Sequence, residues 1–122
     1  MLRITVNANL DIDEIIRRQQ VANKEAQFAL DNQVLKDSNY FAPEDLGYAG
    51  GLKASSLLHS RLGQGHIEWN TPYARRLYYN PQYNFSKDKN PNAQGLWFEA
   101  AKAVNKNNWV DVAQKSYDKY FG

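Results

Sequence analysis

Between Asp11 and about Ser38, apolar side chains recur at the spacing of one helical face: Ile12, Ile15, Ile16, Ala22, Ala26, Ala29 and Leu30. A stripe this long, with a period near 3.6 residues, demands an extended amphipathic helix that the rest of the chain must cover. Its start is marked. Asp11 is placed to cap the helix, Glu14 can reach back toward that cap, and Leu10 can staple against Ile15. Asp13 with Arg17, and Glu14 with Arg18, are opposite charges one turn apart. A second stripe, Val21, Phe28 and Leu35, lies on a flank of the helix. It either widens the face buried in the domain's own core or meets a neighbouring subunit.

Around this helix the other signals are shorter. "LRITVN" alternates in the manner of an opening strand. "YFAPEDLGYAGGLKASS", with Pro43, Gly47, Gly50 and Gly51, reads as a loop with at most a helical turn. In "SLLHSRLGQGHIEWN", Leu58 and Leu62 share one strand face and Ile67 and Trp69 another, with Gly63 and Gly65 supplying the turn of a β-hairpin. "TPYARRLYYN" shows no decisive period. "NPQYNFSKDKNPN" reads as a polar, flexible loop over about residues 80–92, interrupted by Tyr83 and Phe85. Asn90 and Pro91 then suit a helix start. "LWFEAAKAV" and "WVDVAQKSYDKYF" both have helical faces, separated by "NKNN", which predicts two short helices or one broken one. The resulting expectation is a single α+β domain over residues 1–122: a long N-terminal helix packed on a small, mainly antiparallel sheet, with C-terminal helices.

A chain of 122 residues can bury one modest core. A net charge of +2 is too small to identify nucleic acid as the partner. Its distribution is uneven: residues 1–45 hold eight acids and five bases, and residues 46–122 hold five acids and ten bases. Such polarity is either a solvated feature or suits subunits that meet head to tail. With no cysteine, disulfide frameworks and thiolate metal sites are excluded. No apolar run reaches the roughly 20 residues of a membrane span, and the first residues lack a signal-peptide pattern, so a mature soluble product is expected.

Chemistry-bearing constellations are sparse. His59 and His66 flank the expected hairpin turn, with Glu68 beside them. Two histidines near a hairpin tip fall short of the usual zinc ligand set. Glu44 and Asp45 form an acidic turn in "APEDLG". Phosphate loops, nucleophile elbows and metalloprotease helices are all missing. No enzyme, cofactor or metal site is expected. The densest cluster is "NTPYARRLYYNP", where Tyr73, Tyr78 and Tyr79 accompany Arg75 and Arg76. Tyrosine and arginine are enriched where one surface docks on another. With Tyr83 and Phe85 these residues form the candidate interface. Arg75, Arg76, Lys87 and Lys89 among the rings also resemble a stacking platform, so a small nucleic-acid-binding protein is the alternative.

As an ordered string, "FAPEDLGYAGGLKASSLLHSRLGQGHIEWNTPYARRLYYNP" resembles the signature stretch of phage minor capsid and head-tail connector (tail-completion) proteins. Pro43, Glu44, Gly47, Leu52, Lys53, Ser55, Thr71, Pro72, Tyr73, Ala74 and Tyr78 carry the likeness. "NPNAQGLWFEAAKAVNKNNWVDVAQKSY" resembles the branch found in siphophages and in prophages of Gram-positive bacteria. The resemblance implies a structural protein of the virion neck, assembled in the bacterial host cytoplasm. It would join capsid to tail as part of a ring around the DNA channel, with other neck, connector or tail proteins as partners. Self-association on assembly and non-specific passage of DNA follow from that placement, and no membrane is involved.

Overall fold

The computed structural model describes residue 2 and residues 8–44, 51–87 and 90–122, with side chains from residue 12 onward in the first helix. Four helices follow one another: α1 (Ala8–Phe41), α2 (Gly51–His59), α3 (Ala74–Tyr78) and α4 (Trp97–Phe121). The sequence-predicted long helix is α1. It starts upstream of Asp11, so that residue lies inside the first turn and not at the cap; the side chains of Leu10 and Asp11 lie outside the described residues, as does the strand expected in "LRITVN". Of the two expected ion pairs, Glu14 takes both arginines, at 2.6 Å from Arg17 and 3.2 Å from Arg18. The hydrogen bond from Arg17 holds the Glu14 carboxyl below the usual carboxylate range.

Helices α1 and α4 run antiparallel and are the frame of the molecule. Val34 packs with Ala101 and Trp109, flanked by Leu30, Phe41, Ile67 and Phe98. The Trp109 indole N–H donates to Asp37 Oδ2 at 2.7 Å, tying the helices across a polar edge of that core. The second core cluster sits at the C-terminal end of α1, where Ala42, Leu52, Ala74 and Trp97 collect Phe41, Trp69, Tyr73, Leu77 and Tyr78. The described residues between α1 and α4 therefore fold as a cap over one end of the helix pair. The flanking stripe on α1 divides: Leu35 is buried, whereas Val21 and Phe28 are exposed.

The expected α+β architecture is overturned. Among the described residues the structure is mainly helical, with a single isolated bridge and no sheet. What was read as the first strand of a hairpin is helix α2. Gly51, Leu52 and Ser56 form its buried face, one turn apart, while Leu57 and Leu58 are 64% and 78% exposed. Leu58, expected to share a strand face with Leu62, is therefore a solvent-facing helical residue, and Leu62 lies in the turn beyond α2. Of the hairpin only a single antiparallel bridge remains, Arg61 to His66, around a turn in which Gly63 and Gly65 have positive φ. Among the described residues no second strand lies beside Ile67 and Trp69. Backbone donors here go to side chains, Glu68 N to Ser60 Oγ at 2.9 Å and Asn70 N to Ser55 Oγ at 3.2 Å. The donors are satisfied without a ladder, which removes the main drive to build one.

The C-terminal region also differs from expectation. α4 is continuous through "NKNN", where Asn105 bonds back to Ala101 O at 3.0 Å. Asn90 and Pro91 do not begin it. Instead Asn90 is buried and its amide donates to Tyr40 O and Ala42 O, both at 2.8 Å, satisfying carbonyls at the end of α1. α4 starts after Leu96, a non-glycine residue at φ 48°, ψ 43°. That left-handed conformation is held by Leu96 N donating to Tyr78 O at 2.9 Å, and its carbonyl accepts from Ala100 N.

Candidate functional site: two grooves divided by a short helix

α3 has only five residues, too few to be stable alone. It persists because Ala74 is buried and Tyr78 stands edge-on to Trp97, with ring centroids 4.7 Å apart at 89°. Trp97 also meets Trp69 at 5.7 Å, and the Trp69 indole N–H donates to Asn39 Oδ1 at 2.9 Å. Asn39 in turn donates to Ser56 Oγ at 2.8 Å, so α1, α2 and the segment before α3 share one buried polar link.

Helical spacing then sorts the candidate residues into two sets. Arg75, Tyr78 and Tyr79 line a groove of about 630 Å³ between α1, the glycine turn and the start of α4. Tyr73, Arg76 and Leu77 line a second groove of about 780 Å³, whose far side is built from Tyr83 and Phe85 with Pro43 and Glu44. The single interface patch suggested by sequence is thus two surfaces, with α3 as the dividing wall.

The first groove has apolar walls from Leu30, Val34, Ile67, Trp69, Trp97 and Phe98, with Arg75 and Glu99 among its charged residues. The Arg75 guanidinium lies over the Tyr79 ring at 5.7 Å, and Tyr79 is 64% exposed. Sequence reasoning did not assign Phe98, Glu99 or Asp31 to this surface. The signal for the first two was present in "LWFE", whose aromatic pair supplies one residue to each core cluster.

Asp31 is 4% exposed and its carboxylate is fully engaged. Oδ2 accepts from Gly63 N at 2.9 Å and Gly65 N at 2.7 Å, and Oδ1 accepts from Gln27 Nε2 at 2.7 Å. It is a clamp for the glycine turn and so for one wall of the groove. In the second groove, Tyr83 and Phe85 stand 6.3 Å apart and tilted. Downstream of them Lys87 Nζ donates to Ala93 O at 2.6 Å, and residues 88 and 89, including Lys89, lie outside the described residues.

The two histidines stand on different elements. His59 is in the last turn of α2, while His66 is on the bridge with Nε2 2.9 Å from Glu68 Oε1. No group of three His, Cys, Asp or Glu able to hold a metal occurs among the described residues. No helix among them is long and apolar enough to cross a membrane.

Aromatic-walled grooves with arginine at their edges, on a helical frame, have the make-up of a protein-docking module. The chain belongs to the minor capsid protein family, whose model matches residues 3–117. It is a phage structural protein and a component of the virion. No curated protein and no solved structure matches it.

Proposed function

We propose that this protein acts in the virion neck, joining capsid to tail as one subunit of a ring around the DNA channel. The observation that carries the reading is the division of the Tyr/Arg cluster by α3. One face offers Arg75, Tyr78 and Tyr79, and the other offers Tyr73, Arg76, Tyr83 and Phe85. A subunit held between neighbours needs two different contact faces, and two unlike grooves supply them. In this reading the whole chain is one domain, and residues 80–92 settle into their final conformation against a neighbouring neck, connector or tail protein. The channel tolerates a sliding polyanion and does not bind it tightly. The nucleic-acid alternative has less support, because Arg75 and Arg76 serve different grooves and Lys87 is turned to a backbone carbonyl.

The test is to replace Arg75 and Arg76 together by alanine in the phage. Both side chains are exposed, so helix content and thermal unfolding of the purified protein stay at wild-type values. Filled heads and free tails accumulate unjoined in micrographs. A normal yield of joined, infectious particles would refute the proposal.

A further inference from the structure

Helices α1 and α2 run antiparallel. Leu52, at the start of α2, lies with Ala42, Ser56 Oγ accepts from Asn39 at 2.8 Å, and Gly63, beyond the end of α2, donates to Asp31. On their outer side the two helices enclose a further groove of about 430 Å³, to which no residue of α3 contributes. Leu35 is its buried apolar base. This is the buried member of the Val21, Phe28 and Leu35 stripe, so the flank that the sequence singled out ends in this groove.

Each helix brings the same pair of side chains to it. On α1 Lys36 precedes Tyr40 by one turn, and on α2 Lys53 precedes Leu57 by one turn. All four are exposed, Tyr40 at 58% and Leu57 at 64%. Antiparallel packing sets each lysine roughly level with the apolar residue of the other helix. Among the described residues no ion pair includes either lysine, nor Glu44, the groove's one carboxylate. The lining is therefore net positive, and its ammonium groups are unclaimed within the chain.

These two features together select the occupant. Covering Tyr40 and Leu57 takes both lysines out of water, and a buried ammonium without a counter-charge is strongly unfavourable. A purely apolar or a basic neighbour fails on that ground. A nucleic-acid backbone would answer two lysines and leave the apolar pair unused. A protein segment that carries an apolar side chain between carboxylates satisfies both requirements at once. We propose that the groove between α1 and α2 is a docking site for an acidic segment of another virion protein. That segment seats its apolar side chain over Leu35, between Tyr40 and Leu57, and pairs its carboxylates with Lys36 and Lys53. The site stands apart from the two α3 grooves on which the neck placement rests, so either can fail without the other.

A photo-reactive benzoylphenylalanine in place of Leu57 reads the occupant in phage-producing cells, where a variant that does not assemble is still scored. The expected product joins this chain to one other virion protein. Mass spectrometry of the joined peptide finds Asp or Glu within about one helical turn on both sides of the attached apolar residue. The same group in place of Leu58, which is 78% exposed and outside the groove, gives no more than about a tenth of that product. Adding K36E and K53E lowers the Leu57 yield at least tenfold, whereas K36R with K53R keeps it. Replacing the partner's carboxylates by lysine restores the cross-link to the K36E/K53E protein. Both lysines are exposed, so helix content and thermal unfolding stay at wild-type values. A cross-link to DNA, to lipid, to a second copy of this chain or to a segment without carboxylates would overturn the proposal. So would a yield no higher than the Leu58 control, or one that K36E and K53E leave unchanged.

Discussion

Replacing Asp31 tests whether the groove wall is held by an acceptor or merely by close packing. In Asp31→Ala, the Gly63 and Gly65 amides lose a carboxylate oxygen at 2.9 and 2.7 Å, and Gln27 loses its partner as well. Each partly buried amide left without an acceptor costs about 1–3 kcal/mol. Relief of the buried carboxylate's own desolvation offsets some of this, for a net loss of about 3 kcal/mol. Against a total stability of about 5–15 kcal/mol this is a large fraction. At about 4 °C per kcal/mol for a chain of this size, the unfolding midpoint falls by about 10 °C. Asp31→Asn keeps a carbonyl oxygen where Oδ2 stands, and the Gln27 amide can turn to offer its own oxygen. It loses charge assistance only, about 1 kcal/mol. Urea unfolding followed by circular dichroism measures both variants, and amide hydrogen exchange at residues 63 and 65 localises the effect. Alanine within about 0.5 kcal/mol of wild type, or asparagine as damaging as alanine, would refute the acceptor argument.

Gly95→Ala is expected to destabilise by about 1–3 kcal/mol in thermal unfolding, because a Cβ would stand 2.8 Å from Pro81 Cα, 3.0 Å from Pro81 N and 3.1 Å from Leu77 O. All three are backbone atoms that cannot rotate away, so a wild-type midpoint would mean the two segments do not approach this closely. Asn90→Ala removes both donors from the end of α1 and is expected to cost about 1–3 kcal/mol by urea unfolding. Asn90→Asp at neutral pH should be at least as damaging, since a carboxylate turns acceptors toward the Tyr40 and Ala42 carbonyls; an aspartate variant near wild type would contradict the assigned geometry.

Periodicity revealed α1 because a stripe running through most of a 34-residue helix outweighs any local ambiguity, and it revealed the apolar ends of α4 for the same reason. It failed between residues 51 and 70. A nine-residue helix with one buried leucine and two buried small residues, Gly51 and Ser56, leaves too little apolar pattern to outweigh the spacing of Leu58 and Leu62, which fits one strand face. The alternation of Ile67 and Trp69 did report burial, since both pack on core clusters, but a half-buried extended segment does not require a strand beside it. The Tyr/Arg stretch was legible as chemistry and not as geometry. Which residues share a groove depends on the helical phase of α3, and a five-residue helix has no period to read. Asp31 was invisible for a related reason. Its partners are two glycine amides more than thirty positions away, and nothing in a sequence marks a backbone donor as needing an acceptor.

The arrangement around α3 has a mechanical consequence for docking. The dividing wall is a single short helix fixed through Ala74 and Tyr78 to Trp97, and Trp97 opens α4 immediately after the left-handed Leu96. The N–H of Leu96 is bonded to Tyr78 O and that of Gln94 to Phe41 O, so the wall, the start of α4 and the end of α1 are joined by backbone hydrogen bonds as well as by rings. A rotation of α3 large enough to widen one groove would carry Tyr78 off Trp97, break the Leu96 bond and narrow the other groove. The two surfaces are therefore coupled through one rigid element. On the proposed function, a neighbour seated on the Arg75 face bears on the same short helix that presents Tyr73 and Arg76 on the opposite face, so displacement of α3 at one groove is felt at the other.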